Sequence, residues 1–276
     1  MPREFDSGYQ RRRYRLLVAD YPDETTYPAD SFRVEWGPVF HRGRLDGTAR
    51  LLIIGQDPAT HEAITRRILV GEAGQRLQGL LARLGITRSY VLINTFLYSV
   101  YGQSGGTRHI DDPGITRYRN RWIDAIVAEQ PIEAIISLGQ LADTAYQAWR
   151  TTARGAANTA AYATVRHPTY PESASRSGTI TKAEAFKRLC DSWNLALDAL
   201  HGVVTPDTPV PLVHYGTTIT KQDLAPIPDI DLPPGLPPWM NALEAWASRT
   251  GTDAQTKRAT ITVTVPTKAR TWPPIA

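Results

Sequence analysis

Residues 51–62 read LLIIGQDPATHE, an apolar run that ends in a glycine, an amide, a carboxylate and a proline. A short apolar run bounded by polar residues is typical of a strand that is covered on both faces, as in a parallel sheet. Asp57 then lies where the strand leaves the sheet, and open α/β sheets bind ligands beyond the carboxyl ends of their strands. A turn-forming role, with Pro58 fixing the bend, fits these residues equally well.

The same pattern repeats along the chain. Three further buried strands are predicted, over 90–96, 133–139 and 161–168. Four amphipathic helices are predicted, over 73–85, 114–130, 140–150 and 181–200. Strands that alternate with helices imply a parallel sheet with right-handed crossovers and helices on both faces. We therefore predict a three-layer α/β/α domain over 46–202, with a central four-stranded parallel sheet.

Composition limits the classes of function. The chain of 276 residues has no run of 18 apolar residues and no apolar segment near its N-terminus, so we expect a soluble cytoplasmic protein without a membrane partner. Its single cysteine, Cys190, and its six scattered histidines predict no protein-bound metal and no cofactor. The net charge of +4 favours a polyanionic partner, and we expect a monomer.

Two flanking regions differ from the predicted domain. Residues 1–45 form a basic extension, whose cluster Arg11, Arg12, Arg13 and Arg15 indicates either contacts to a DNA backbone or a solvated tail. Residues 203–276 hold twelve of the 21 prolines. We predict that this region packs on the core or acts as a lid, with a helix over 238–251, and a flexible linker is the alternative. Its tryptophans favour packing, because disordered tails are poor in large aromatic residues.

Polar residues follow each of the four predicted strands. They are Asp57 after Gln56, Asn94, the pair Gly139 and Gln140, and His167 before Pro168. Because parallel strands end at one edge of a sheet, we expect a carboxylate, a carboxamide and an imidazole to converge there. Taken singly, Asn94 fits a residue that satisfies a buried backbone group, and His167 fits a hydrogen-bonded core histidine.

The ordered set of motifs resembles a known family. GQDP (55–58), the asparagine of VLINTFLYSV (91–100) and HPTYPESAS (167–175) look like the three motifs of the uracil-DNA glycosylase superfamily. The segment RRILVGEAGQRLQGLLARLGI (66–86) is similar to the glycine-rich helix entry of its bacterial and archaeal branches. The resemblance covers about residues 50 to 200 and implies a DNA glycosylase that acts on a base flipped out of single- or double-stranded DNA.

The resemblance also implies roles for individual residues. Asp57 would position the water and stabilise the cationic sugar, and His167 would hydrogen-bond the oxygen at carbon 2 of the leaving pyrimidine. The implied substrate-binding residues are Gly55, Gln56, Ala59, Leu69 and Asn94. The implied DNA-binding residues are Arg66, Arg67, Gly74, Gln75, Gly139, Gln140, Arg166, Pro168, Thr169, Tyr170 and Ser173.

The sequence departs from the superfamily at two positions. Ala59 replaces a tyrosine of the uracil-specific branch, which resembles a wall against substituents on carbon 5 of the pyrimidine. Leu69 replaces an aromatic residue that stacks on the base in related branches. Both changes favour a pyrimidine enlarged at carbon 5, such as the hydroxymethylated or glucosylated cytosine of bacteriophage DNA, and hence a role in antiviral defence. Repair of uracil or of another deaminated base is the alternative. A paralogue that binds DNA or a nucleotide without cleaving it is a second alternative.

Overall fold

The computed structural model describes residues 4–176, 178–241, 245–253, 256–257 and 260–265. Its strands are β1 (Arg42–Gly43), β2 (Leu51–Gly55), β3 (Tyr90–Asn94), β4 (Ala134–Leu138), β5 (Ala161–Val165), β6 (Ala247–Ser248) and β7 (Thr262–Val263). Its α-helices are α1 (Arg12–Ala19), α2 (Thr60–Thr65), α3 (Glu72–Arg83), α4 (Gly102–His109), α5 (Pro113–Glu129), α6 (Gln140–Arg150), α7 (Ala153–Ala157), α8 (Tyr170–Arg176) and α9 (Lys182–Leu200). Within these ranges no helix combines the length and the apolar character needed to cross a membrane.

The central sheet has the strand order β1-β3-β2-β4-β5. Strands β3, β2, β4 and β5 run parallel, whereas β1 pairs antiparallel with β3. Gly55 is paired with Asn94, and Leu138 with Val165, so the carboxyl ends of neighbouring strands lie level. The four predicted strands are present. The sheet has five strands and not the predicted four, because the edge strand β1 was not predicted. That strand is two residues long and lacks apolar alternation, so periodicity does not indicate it.

Apolar side chains cover both faces of the sheet. Leu52 and Ile54 of β2 belong to the cluster that includes side chains of α1, α5 and α6. Leu51 and Ile53 belong to the cluster formed with α3 and α9. All four side chains are fully buried. Burial on both faces explains the unbroken apolar run of this strand and produces the layered α/β arrangement.

The N-terminal basic cluster lies on a helix that packs against the core. Tyr14 of α1 stacks on Trp122 of α5, with ring centroids 5.9 Å apart. The guanidinium groups of Arg11 and Arg13 pair with the Glu129 carboxylate, at 3.5 and 3.3 Å. The cluster is therefore not a solvated tail, and two of its arginines have partners within the chain.

The predicted helix over 238–251 is wrong where the structure describes it. Residues Pro238–Asn241 form a short 3-10 turn, and β6 follows as a strand paired antiparallel with β7. The backbone N–H groups of Trp246 and Ala247 donate to Nε2 of His61, at 3.3 and 3.2 Å. A helix interior would use these donors internally, so this contact requires a different backbone conformation.

Carboxylates of the proline-rich region bind the core at several positions. The Asp207 carboxylate accepts hydrogen bonds from the backbone N–H groups of residues 87, 88 and 89, at 2.8, 2.7 and 3.0 Å. Asp223 pairs with Arg83 of α3. The described part of this region thus lies against the α/β domain, and residues 266–276 lie outside the described ranges.

Asp231 makes the most deeply buried of these contacts. Its carboxylate accepts hydrogen bonds from Arg42 at 3.0 Å, from Arg44 at 2.5 Å and from the Tyr90 hydroxyl at 2.5 Å. All four side chains are buried. Charged groups are stable in the interior only when they are paired and hydrogen-bonded, so each arginine here depends on the carboxylate.

Replacing Asp231 with alanine should lower the free energy of unfolding by about 3–5 kcal/mol, because two buried guanidinium groups lose their counter-ion. The matched control is Asp191→Ala, which removes an exposed carboxylate that pairs with Lys187 at 2.7 Å within α9. That change should cost at most about 0.5 kcal/mol. Chemical denaturation followed by tryptophan fluorescence measures both, and equal losses would contradict the importance of the buried pair.

Candidate active site

The carboxyl ends of four parallel strands bring the predicted residues to one edge of the sheet. The strand order places Asn94 beside the β2 end that carries Asp57, followed by Gly139 and then His167. Neighbouring strands lie about 4.8 Å apart, so these residues lie along one edge of the sheet. Gly139 has φ +88°, and a Cβ there would lie 3.3 Å from the His167 Cβ. This glycine therefore leaves room for the histidine.

Asp57 is held by two hydrogen bonds in a half-buried position. Its Oδ2 accepts from the backbone N–H of Val100 at 2.9 Å, and its Oδ1 accepts from Nε2 of Gln56 at 3.0 Å. Burial raises the pKa of the Asp57 carboxyl to about 6, although both hydrogen bonds act in the opposite direction. The carboxylate is therefore fixed in place and mostly ionised at neutral pH.

Glu62 connects the loop after Asp57 to a second loop. Its buried carboxylate accepts from the backbone N–H of Ala59 at 3.0 Å and from that of Val70 at 3.1 Å. Ala59 is exposed, whereas Leu69 is only 7% exposed and has φ +52°. Glu62 is not among the residues predicted from the sequence, although a glutamate three residues after a helix N-cap is a recognised capping signal.

Asn94 presents an amide donor that has no partner in the described part of the chain. Its Oδ1 lies over Gly55, where a Cβ would approach to 2.4 Å, so that position requires glycine. Its Nδ2 is buried and has no hydrogen-bond partner there. An unsatisfied buried donor costs about 1–3 kcal/mol. A ligand acceptor would remove that cost.

His167 is neutral and its tautomer is defined by its neighbour. The backbone N–H of Thr169 donates to His167 Nδ1 at 3.2 Å, so Nδ1 accepts and the ring proton lies on Nε2. Burial lowers the pKa of the imidazole to about 4, and the positive charge of Arg76 acts in the same direction. The ring therefore offers an uncharged N–H donor at neutral pH.

Arg76 fixes the loop that carries His167. Its guanidinium group donates to the Pro168 carbonyl at 2.7 Å and to both carboxylate oxygens of Glu172, at 3.0 and 2.9 Å. A bidentate pair of this kind restrains orientation as well as distance. No sequence signal indicates this role, because an arginine on an amphipathic helix normally lies on a solvated face.

Several predicted DNA-binding residues lie on the surface beside this loop. Arg166 is exposed, and its guanidinium group stacks on the Tyr170 ring at 4.4 Å. Gln140 and Thr169 are exposed, Gly139 and Ser173 are half-buried, and Pro168 is buried. Their DNA contacts remain predictions.

Four other predicted DNA-binding residues make contacts within the protein that the sequence did not indicate, and their contacts to DNA stay predictions. Arg66 donates to the Trp36 carbonyl at 2.7 Å and to the Pro38 carbonyl. Arg67 is 8% exposed, and its Nε pairs with Asp6 at 2.6 Å. The other two residues, Gly74 and Gln75, are buried. The N-terminal extension and the proline-rich region cover these positions, and local spacing cannot reveal such coverage.

The described residues include no group of three or more histidine, cysteine, aspartate and glutamate side chains arranged to hold a metal ion. A family model described as the uracil DNA glycosylase superfamily matches residues 42–191, which is more than half of the chain. The match contains Asp57, Asn94 and His167 and leaves residues 1–41 and 192–276 outside. A search of curated proteins returned no match.

Replacing Arg76 with methionine should raise the pKa of His167, because a nearby positive charge is lost and the Glu172 carboxylate is left unpaired. Ring ¹H–¹⁵N NMR spectra recorded against pH measure this titration. The matched control is Arg83→Met on the same helix, which removes the ion pair with Asp223 and should leave His167 unchanged. An unaltered His167 titration in Arg76→Met would contradict the assigned contact.

Proposed function

The chain belongs to the uracil DNA glycosylase superfamily, and from this premise we propose that it hydrolyses the N-glycosidic bond of a flipped-out pyrimidine in DNA and leaves an abasic site. The observation that carries the proposal is a neutral histidine N–H donor at the same sheet edge as an ionisable carboxylate and an unsatisfied amide donor. These three groups match the charges that develop when a nucleoside bond breaks.

Breaking this bond places positive charge on the sugar and negative charge on the departing base. Asp57 would stabilise the cationic sugar and orient the attacking water, because its carboxylate is fixed by Val100 and Gln56. The water adds to the sugar carbon as the bond to the base breaks, the bonding electron pair leaves with the base as an anion, and one proton of the water passes to the solvent. The pKa of Asp57, at about 6, leaves most of the carboxylate ionised at neutral pH.

The departing base requires donors for its developing negative charge. His167 would donate from Nε2 to the oxygen at carbon 2, and a neutral imidazole does so without itself needing a counter-ion. Asn94 would hydrogen-bond the Watson–Crick edge with its buried amide. Preorganised donors of this kind stabilise the transition state more than the ground state.

The base must leave the helical stack to reach this edge of the sheet, which costs a few kcal/mol. Contacts to the phosphate backbone would offset that cost. The exposed side chains beside the His167 loop, Arg166 and Thr169, are available for them. The first N–H groups of α6, which follow Gly139 without a side-chain cap, offer further donors.

The substrate we propose is a pyrimidine enlarged at carbon 5, such as hydroxymethylated or glucosylated cytosine in phage DNA, and the proposed role is antiviral defence. The support comes from Ala59, which is exposed. The uracil-specific branch has a tyrosine at this position, and its ring resembles a wall against substituents on carbon 5. Leu69 packs in the core cluster with α3 and presents little surface for stacking on the base. Space beside carbon 5 would serve no purpose for unsubstituted uracil.

Release of free bases tests the proposal. Wild-type protein is incubated with DNA that contains uracil, thymine mismatches, hydroxymethylcytosine or glucosylated cytosine. Asp57→Asn should reduce release of the true substrate by about 10²-fold or more while DNA binding is retained, because the carboxylate acts in the transition state. Release of uracil alone would support the repair enzyme instead. Binding without release from any DNA would support the non-catalytic paralogue.

Replacing Ala59 with tyrosine should change selectivity rather than overall activity. The added ring would fill the space beside carbon 5 and reduce release of the bulky base by about tenfold or more, since packed pockets do not relax to admit extra atoms. The rate of uracil release should not fall. Ala59→Ser is the matched control, because it adds a hydroxyl suited to a helix N-cap without filling the space. Equal losses on every substrate would mean that the ring only disrupts the loop.

A further inference from the structure

A short N-terminal segment outside the matched region supports the loop that holds Asp57. Residues 31–33 run antiparallel to 99–101, with Phe32 bridged to Val100. The Arg33 N–H donates to the Ser99 carbonyl at 2.8 Å, and the Tyr101 N–H donates to the Ser31 carbonyl at 2.8 Å. Val100 lies in the middle of this pairing and is the residue whose N–H binds Asp57. The extension therefore restrains the peptide that fixes the carboxylate.

The Arg33 side chain bonds the residues on both sides of this peptide. It is 4% exposed, and its Nη1 donates to the Val100 carbonyl and, at 3.2 Å, to the Ser99 hydroxyl. The guanidinium group lies 4.1 Å from the centre of the Tyr101 ring and 5.0 Å from that of Trp36. Its Nε is buried and has no hydrogen-bond partner in the described part of the chain.

A buried guanidinium group whose acceptors are all neutral is costly unless a negative charge lies nearby. Two carboxylates are close enough to interact with it electrostatically, those of Asp57 and Glu35. The positive charge of Arg249, from the proline-rich region, lowers the pKa of Arg33. On the side of Asp57, Glu62 disfavours ionisation and Arg33 favours it. Arg33 is thus a cationic group that favours the ionised form of the candidate catalytic carboxyl, in addition to the hydrogen bonds from Val100 and Gln56.

We infer that Arg33 is a positioning residue for Asp57, which holds the Ser99–Val100 segment in place and brings a positive charge to the loop that fixes the carboxylate. The positioning stands on the hydrogen bonds that Arg33 makes to Ser99 and Val100. Its consequence for catalysis rests on the proposed function. If Arg33 is replaced by a neutral residue, Asp57 should remain protonated to a higher pH, so the rate near neutral pH should fall and recover as the pH is raised.

The test measures the titration of Asp57 directly, in full-length protein labelled with ¹³C at aspartate carboxyl carbons. Asp57→Asn identifies the signal. The wild-type midpoint should lie at about 6. Arg33→Gln should raise it by about 0.5 to 1 pH unit, because the charge is lost while amide donors remain. Arg33→Lys should keep the wild-type midpoint, because the charge is retained. Arg33→Met carries the same expectation as Arg33→Gln should that variant not fold.

The matched control is Arg119→Gln. Arg119 is also buried and bonded only to neutral acceptors, the Ile110 carbonyl at 3.4 Å and the Thr116 hydroxyl at 3.3 Å, but it is not among the groups that shift Asp57. Its loss should leave the Asp57 midpoint unchanged. The inference would be overturned if Asp57 titrated at its wild-type midpoint in Arg33→Gln and Arg33→Met. It would also be overturned if Arg119→Gln raised the Asp57 midpoint equally.

A second readout separates this inference from the proposed function. Single-turnover base release is followed against pH on the DNA that the wild type cleaves, and its acid limb should move with the Asp57 midpoint while DNA affinity stays constant. If the wild type releases no base, the proposed function fails and the NMR titration still decides the role of Arg33. A shifted titration with an unshifted rate profile would overturn the catalytic consequence alone.

Discussion

The buried carboxylate of Asp231 is the interaction on which the rest of the structure depends. It is the shared partner of two arginines from the edge strand and its flank and of the Tyr90 hydroxyl from β3. Without it, two guanidinium groups would lie in the interior unpaired, a situation that proteins avoid. The same turn receives the N-terminal segment, because the Asp6 N–H donates to the Leu232 carbonyl at 2.9 Å. Both flanking regions therefore meet at one point on the sheet.

Burial shifts the pKa values of the two candidate catalytic groups, Asp57 and His167, in opposite directions. It raises the pKa of Asp57 to about 6, because the charged form of a carboxyl group is poorly solvated there. It lowers the pKa of His167 to about 4, because the charged form of the imidazole is the disfavoured one. Well above pH 4 His167 is neutral, and Asp57 gains its charge as the pH rises through about 6. An activity that needs a neutral histidine and a carboxylate would therefore be limited on the acid side by Asp57.

Local sequence patterns were sufficient to predict the parallel strands and the sheet edge that carries the site. Four strands buried on both faces produce continuous apolar runs, and parallel pairing then places Asp57, Asn94 and His167 at one edge whatever the flanking regions do. Prediction failed where long-range contacts decide. Arg67 looks like a surface arginine in a loop, but its partner Asp6 is 61 residues away. The two-residue edge strand and the helix wrongly predicted over 238–251 fail for the same reason, since their conformations are set by contacts with distant residues.

The matched region does not contain all the groups that define its own site. Val100 holds Asp57, but the peptide of Val100 is held by Arg33 from the N-terminal extension. Helix α2, which begins beside the exposed Ala59, is contacted through His61 by the backbone at Trp246. A region outside the family match therefore adjoins each side of the Asp57 loop. One region contacts the Val100 segment through Arg33, and the other lies beside the helix that begins at Ala59. The flanking regions are thus placed to adjust charge and shape in a site whose framework comes from the shared α/β domain.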